Sequence, residues 1–196
     1  MAKAKSKTKK LTVLQKQVQQ GTCAEMLTSS KVLAIDPSIG SASSSMGYAW
    51  YEEGQLKDAG ILEFPPSMSK NKKLQEIRAA IMEEFDQFDV LVIENIAPMR
   101  VNQNSKESHN KKTAGISAAI TKGWKNLHQA TGAAIAASNC EYVVEVAPIT
   151  WRKYIDESYQ KNDAADATLI GYAAIKEACD YLGKSLPRKY FVEDLK

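Results

Sequence analysis

Two apolar runs, Val32 to Ile35 and Val90 to Ile93, each stop on a carboxylate: Asp36 in KVLAID and Glu94 in VLVIE. An Asp before a turn can simply cap backbone amides, and a strand-end Glu can simply face water. A matched pair of strand ends points elsewhere, because the carboxyl ends of strands in an open α/β sheet form the edge where ligands bind. If the two runs are parallel neighbours, Asp36 and Glu94 leave the sheet at one rim. Asp163 and Asp166, in NDAADATLIGYAA, stand three apart at the start of a helical pattern and share one face of its first turn. Acids there complement the helix dipole, with Asn162 as N-cap, and need no other role. The helix beyond them is small and apolar, however, through Ala164, Ala165, Ala167, Leu169 and Ile170, which should press that turn against the sheet.

Four carboxylates at one rim repel. A pair about 4 Å apart at an effective dielectric of about 20 costs on the order of 4 kcal/mol, so the cluster must protonate or bind cations. Oxygen ligands without His or Cys favour Mg²⁺, with Mn²⁺ able to substitute, over zinc. Two divalent ions balance four carboxylates in charge. Such a pair activates water on one side of a phosphodiester and stabilises the departing oxygen on the other.

Composition fits a polyanionic partner. The net charge of +3 conceals a division: residues 1–30 carry Lys3, Lys5, Lys7, Lys9, Lys10 and Lys16 against Glu25 alone, a contribution of +5, so the rest of the chain is −2. A second basic stretch holds Arg100, Lys106, Lys111, Lys112, Lys122 and Lys125 against Glu107. Both could be solvated surface; together with an acidic centre they suit a nucleic-acid backbone held across it. The apolar stretches are far shorter than the about 20 residues of a membrane span, and the Lys-rich start has no apolar segment behind it, unlike a secretory signal. Cys23, Cys140 and Cys179 form neither an even disulfide framework nor a CxxC pair. A reducing, cytoplasmic compartment is expected.

The elements that must position the acids follow from periodicity. Residues 1–30 read as a flexible basic arm with at most a short helix, and the domain is expected to begin at Lys31. Val32 to Asp36, Gly47 to Glu53 and Leu56 to Phe64 read as strands, the last two joined by the hairpin-turn residues Glu53-Gly54-Gln55. Leu74, Ile77, Ile81, Phe85 and Phe88 form one stripe of a helix. Asp89 to Glu94 is a strand buried on both faces. A polar basic loop precedes a helix through Ile116, Ile120, Trp124 and Leu127, whose continuation past Gly132 the pattern leaves open. Tyr142 to Val146 is a fifth strand, Pro148 opens a short helix, Asp163 to Leu182 is the final helix, and residues 184–196 form a tail. The expected class is α/β: a five-stranded mixed sheet with helices on both faces, one domain over 31–183.

On the motifs LAIDPSIG…MGYAW, VLVIEN and NDAADATLIGYAA, the chain from Lys31 to about Leu182 resembles the RuvC group of Holliday-junction resolvases, in the ribonuclease H-like superfamily, with EVAPITWRKYI similar to a segment of phage-type and bacterial members. The resemblance implies that Asp36, Glu94, Asp163 and Asp166 are metal-binding catalytic acids in a crossover junction endodeoxyribonuclease. It further implies a homodimer that nicks two strands of a four-way junction symmetrically, pairing through the helix at about Ala114 to Ala130, where Ile116, Ile120 and Trp124 are candidates. Arg152 and Lys153 join the basic residues above as expected DNA contacts, while Trp151 suits a core position better than a stacking platform.

Three features depart from the family. The usual DPG reads Asp36-Pro37-Ser38, the serines from Ser41 to Ser45 lengthen the first turn, and no aromatic follows Glu94, where Asn95-Ile96-Ala97-Pro98-Met99 stands. Three alternatives remain: a nuclease on the same fold that cuts RNA–DNA hybrids; an actin-like ATP-binding domain, which also opens with a strand, an Asp and a Ser/Gly turn but needs two such units; and a DNA-binding protein without catalysis.

Overall fold

In the computed structural model the residues described are 10–37, 45–85, 87–95, 111–157 and 159–185, the side chains of residue 84 and of residues 111–123 apart. Five strands form one mixed sheet. β1 (Lys31–Asp36) lies at its centre, antiparallel to β2 (Ser45–Glu52), which pairs antiparallel with β3 (Gln55–Glu63) at one edge. On its other side β1 runs parallel to β4 (Val90–Glu94), and β4 parallel to β5 (Tyr142–Val146) at the opposite edge.

Alternation along the central strands divides the core into two halves. Val32 and Ala34, Val90 and Val92, and Val144 and Val146 face one layer, against the final helix α6 (Asp163–Leu182). Leu33 and Ile35 with Leu91 and Ile93 face the other, where they meet α3 (Lys70–Ala79) and α4 (Lys111–Ala137) through Ile77, Ala130 and Ala134. Both faces are covered, which is why β1 and β4 read as continuous apolar runs. The expected helical stripe through Ile77 and Ile81 is present. The helix widens into π winding over Ala80–Glu84 and ends there, so Phe85 and Phe88 reach the core from beyond it and pack on Trp50. α4 does continue past Gly132 to Ala137. A single glycine costs only about 1 kcal/mol in a helix, and the buried Ala130 and Ala134 on either side of it hold the helix to the sheet.

Residues 13–29 differ from the arm expected there. They form α1 (Val13–Val18) and α2 (Cys23–Ser29), and Leu14, Val18, Cys23, Ala24 and Leu27 belong to the core shared with α6. The cause is local and legible. Thr12 accepts the backbone N–H of Gln15 while the Gln15 side chain accepts that of Thr12, a reciprocal cap that starts α1. The pair then covers the open edge of the sheet: Gln17 Oε1 accepts the Glu145 backbone N–H of β5 at 3.2 Å, and the Thr22 backbone N–H donates to the Tyr142 hydroxyl at 3.2 Å. The folded unit therefore begins before Lys31. Residues 1–9, with four of the six lysines assigned to the arm, lie outside the described residues, as does most of the expected tail.

Deleting residues 1–30 is expected to unfold the protein or lower its melting temperature severely, since two large leucines and a valine at about 1.5 to 3 kcal/mol each leave the core. Deleting residues 1–9 alone is expected to leave thermal melting, followed by circular dichroism, close to that of the full chain.

Candidate active site

Strand parity aims two of the acids. Asp36 continues the Val32–Ala34 side of β1 and Glu94 the Val90–Val92 side of β4; with Ile35 paired to Ile93, both carboxylates leave the carboxyl edge of the sheet on the α6 side. There the first turn of α6 carries Asp163 and Asp166. Asn162 caps it, accepting the Ala165 backbone N–H at 2.7 Å. The turn reaches the sheet because Gly47, the β2 partner of Asp36, has no side chain: a Cβ there would stand 1.8 Å from the Asp163 carbonyl oxygen. Farther along α6 the Tyr51 hydroxyl donates to the Thr168 carbonyl at 2.5 Å, fixing the helix against β2. The structure thus brings together all four acids singled out in the sequence.

Their electrostatics follow from that crowding. Asp36 is only 7% exposed. Burial first, then the charges of Glu94, Asp166 and Asp163, push its carboxyl up to about 8, against a smaller opposing pull from Arg152. Burial likewise raises Glu94, opposed by the Trp151 hydrogen bond and Arg152. Asp166 is raised by burial, with the Tyr159 hydrogen bond opposing. Each of the three outer acids has a neutral donor from a different part of the chain. Ser45 Oγ donates to Asp163 Oδ2, Trp151 Nε1 to Glu94 Oε1 at 2.9 Å, and the Tyr159 hydroxyl to Asp166 Oδ1.

The donor set fits a hard divalent cation: it is oxygen only and mutually repelling, and among the described residues three neutral donors bond the three outer acids. Among the described residues no three His, Cys, Asp or Glu side chains stand close enough to hold an ion as they are. An ion held by three or more of the four acids would require their side chains to rotate toward one another.

Of the basic residues, Arg152 acts electrostatically on Asp36, Glu94 and Asp166, and Lys153 follows it in the turn Arg152–Tyr154 after α5 (Pro148–Trp151). The Arg152 guanidinium lies 5.1 Å over the Trp151 ring and Lys153 Nζ 4.9 Å over Tyr154. Lys125 is exposed on α4, across the sheet from α6. Arg100 and Lys106 lie outside the described residues, as do the side chains of Lys111, Lys112, Lys122, Ile116 and Ile120; Trp124 is half-buried, edge-on to His128 at 5.1 Å. Sequence reasoning missed Ser45, Tyr159 and Gly47. Ser45 and Asp163 are 118 positions apart, so no local signal joins them.

Two substitutions test this geometry. Asp36 keeps a proton in the native state between its ordinary 3.8 and about 8, whereas the unfolded chain has lost it, so stability falls as pH rises through that window. Asp36→Asn is expected to remove this slope. Without divalent cations the variant should be more stable than wild type at pH 8, by on the order of a few kcal/mol, and equal to it near pH 4, as read by urea denaturation. Gly47→Ala is expected to destabilise by roughly 1 to 3 kcal/mol, because the new methyl meets backbone and forces the start of α6 away. Gly132→Ala, whose Cβ would meet nothing within 4 Å, serves as the control and is expected to stabilise slightly, by up to about 1 kcal/mol.

No family model matches the chain, and no curated protein sequence matches it. Solved structures do. A Thermus thermophilus RuvC in complex with Holliday junction substrate aligns with a TM-score of 0.52 at 15% identity, covering 81% of this chain and 99% of that one. A second Thermus thermophilus RuvC structure aligns at 0.50 and 14% identity with the same coverage. The chain therefore has a RuvC-like fold, of the ribonuclease H-like α/β class expected from its sequence, and this is a likeness of fold.

Proposed function

We propose that this protein is a metal-dependent, structure-selective endodeoxyribonuclease that resolves four-way DNA junctions, and other branched DNA, by paired symmetric nicks. The observation that carries the reading is the convergence of Asp36, Glu94, Asp163 and Asp166 from two strand ends and one helix start on a RuvC-like fold. Two divalent ions, Mg²⁺ or Mn²⁺, would be held by these four acids and would supply an activated water and positive charge for the departing oxygen.

The chain's own residues do the rest. Burial and crowding push the Asp36 carboxyl up to about 8, and bound cations would favour its ionised form. Arg152, which acts on the acids, and its neighbour Lys153 bind the backbone phosphates of the strand to be cut, and the stretch from Arg100 to Lys125 binds a neighbouring arm. A homodimer matches the two-fold symmetry of a four-way junction, placing one acid cluster on each of two opposed strands. That one solved neighbour was captured with a Holliday junction substrate supports branched DNA over a hybrid duplex as the substrate.

Asp36→Asn is expected to abolish Mg²⁺-dependent junction cleavage while junction binding, measured by gel shift in Ca²⁺ or without metal, is kept, because the change removes a ligand charge and leaves the basic surface. Matched substrates decide the class: a four-way junction, a flap, a plain duplex and an RNA–DNA hybrid, with preferential cutting of the hybrid contradicting the reading.

A further inference from the structure

We propose that Ser45, Trp151 and Tyr159 are positioning residues of the acid cluster, a ring of neutral donors that orients three carboxylates toward a divalent cation without cancelling their charge. The inference rests on the cation-dependent reading above and assigns it three residues outside the acids themselves. Each donor belongs to a different segment and grips a different acid. Ser45 opens β2 and holds Asp163; Trp151 closes α5 and holds Glu94 at 2.9 Å; Tyr159, between α5 and α6, holds Asp166.

Packing alone does not call for these polar atoms. Trp151 is buried in the core beside α6, where a phenyl ring would also exclude water, yet its indole N–H is spent on Glu94. Tyr159 is half-buried, and its hydroxyl, 7 positions from Asp166, could be hydrated instead. Each bond engages one oxygen of a carboxylate that has two, which restricts rotation of the group.

Neutrality of the donors is the informative feature. A lysine or arginine bonded to each acid would orient it equally well, but would cancel the field that draws in a dication and would have to be displaced. The described ion pairs Lys72–Glu76 and Lys176–Asp180 each join residues of one helix and use none of the four acids. Hydrogen-bond partners of ligating carboxylates elsewhere set ligand orientation, and losing one commonly weakens metal binding by about 10- to 100-fold.

The test uses the full chain and Mn²⁺ as the probe, titrated calorimetrically at pH 8 beside metal-free thermal melting. Trp151→Phe, Tyr159→Phe and Ser45→Ala are each expected to weaken Mn²⁺ binding by about 10-fold or more. Ser45→Thr, which keeps the hydroxyl, should bind like wild type, as should Tyr48→Phe, whose hydroxyl bonds Asp58 on the other side of the sheet. Trp151→Phe is the variant most exposed to a folding defect, so the decision rests on Tyr159→Phe and Ser45→Ala, with melting temperatures near wild type. Unchanged or tighter Mn²⁺ binding in both overturns the proposal. A wild-type chain that binds no Mn²⁺ instead overturns the cation-dependent reading on which the proposal stands.

Discussion

Asp36 is a buried carboxylate with three other carboxylates within electrostatic reach, and the elements around the sheet edge impose that proximity. Nothing in the physics of folding favours it. Burial and mutual repulsion both oppose ionisation, and the cost is borne by apolar contacts elsewhere, chiefly those of α6, whose Ala167, Leu169, Ile170, Ala174 and Ile175 are fully buried against the sheet. A site that destabilises its own scaffold is a common signature of function, since relief comes only from the ligand that completes it.

The acids meet because three geometric conditions hold at once. Strand parity turns Asp36 and Glu94 to the same face, parallel pairing of β1 with β4 brings them to one edge, and the bare backbone at Gly47 lets the start of α6 come down onto that edge. A second close approach keeps the helix in register: Gly171 faces Tyr51 and Ala34, where a Cβ would lie 2.5 Å from the Tyr51 ring and 2.8 Å from Ala34 Cβ. α1 and α2 brace the far edge, so that β5, and with it the turn carrying Trp151 and Arg152, is held from outside by Gln17 and Thr22.

Much of this was legible in the sequence. The runs ending on Asp36 and Glu94, the hairpin between them and the helix from Asp163 to Leu182 stand where periodicity put them, because each is long or strongly patterned. The N-terminal helices escaped because six and seven residues show barely two turns of pattern, and the surrounding lysines suggested solvent. The capping box at Thr12-Val13-Leu14-Gln15 is visible only once the structure shows the helix it starts. The donors to the acids escaped for a different reason: Ser45 and Trp151 meet their partners only through tertiary contact, 118 and 57 positions away, which no periodicity encodes. Trp151 is the core residue its type suggests, with its N–H turned to the site.

The central claim is that four acids, collected by this fold at one sheet edge, make a divalent-cation centre. Anomalous diffraction from crystals soaked in Mn²⁺ tests it most directly. The account predicts Mn²⁺ peaks bounded by Asp36, Glu94, Asp163 and Asp166, with these carboxylates rotated inward to meet them. Crystals that bind Mn²⁺ elsewhere, with the four acids left as they stand without metal, would contradict it.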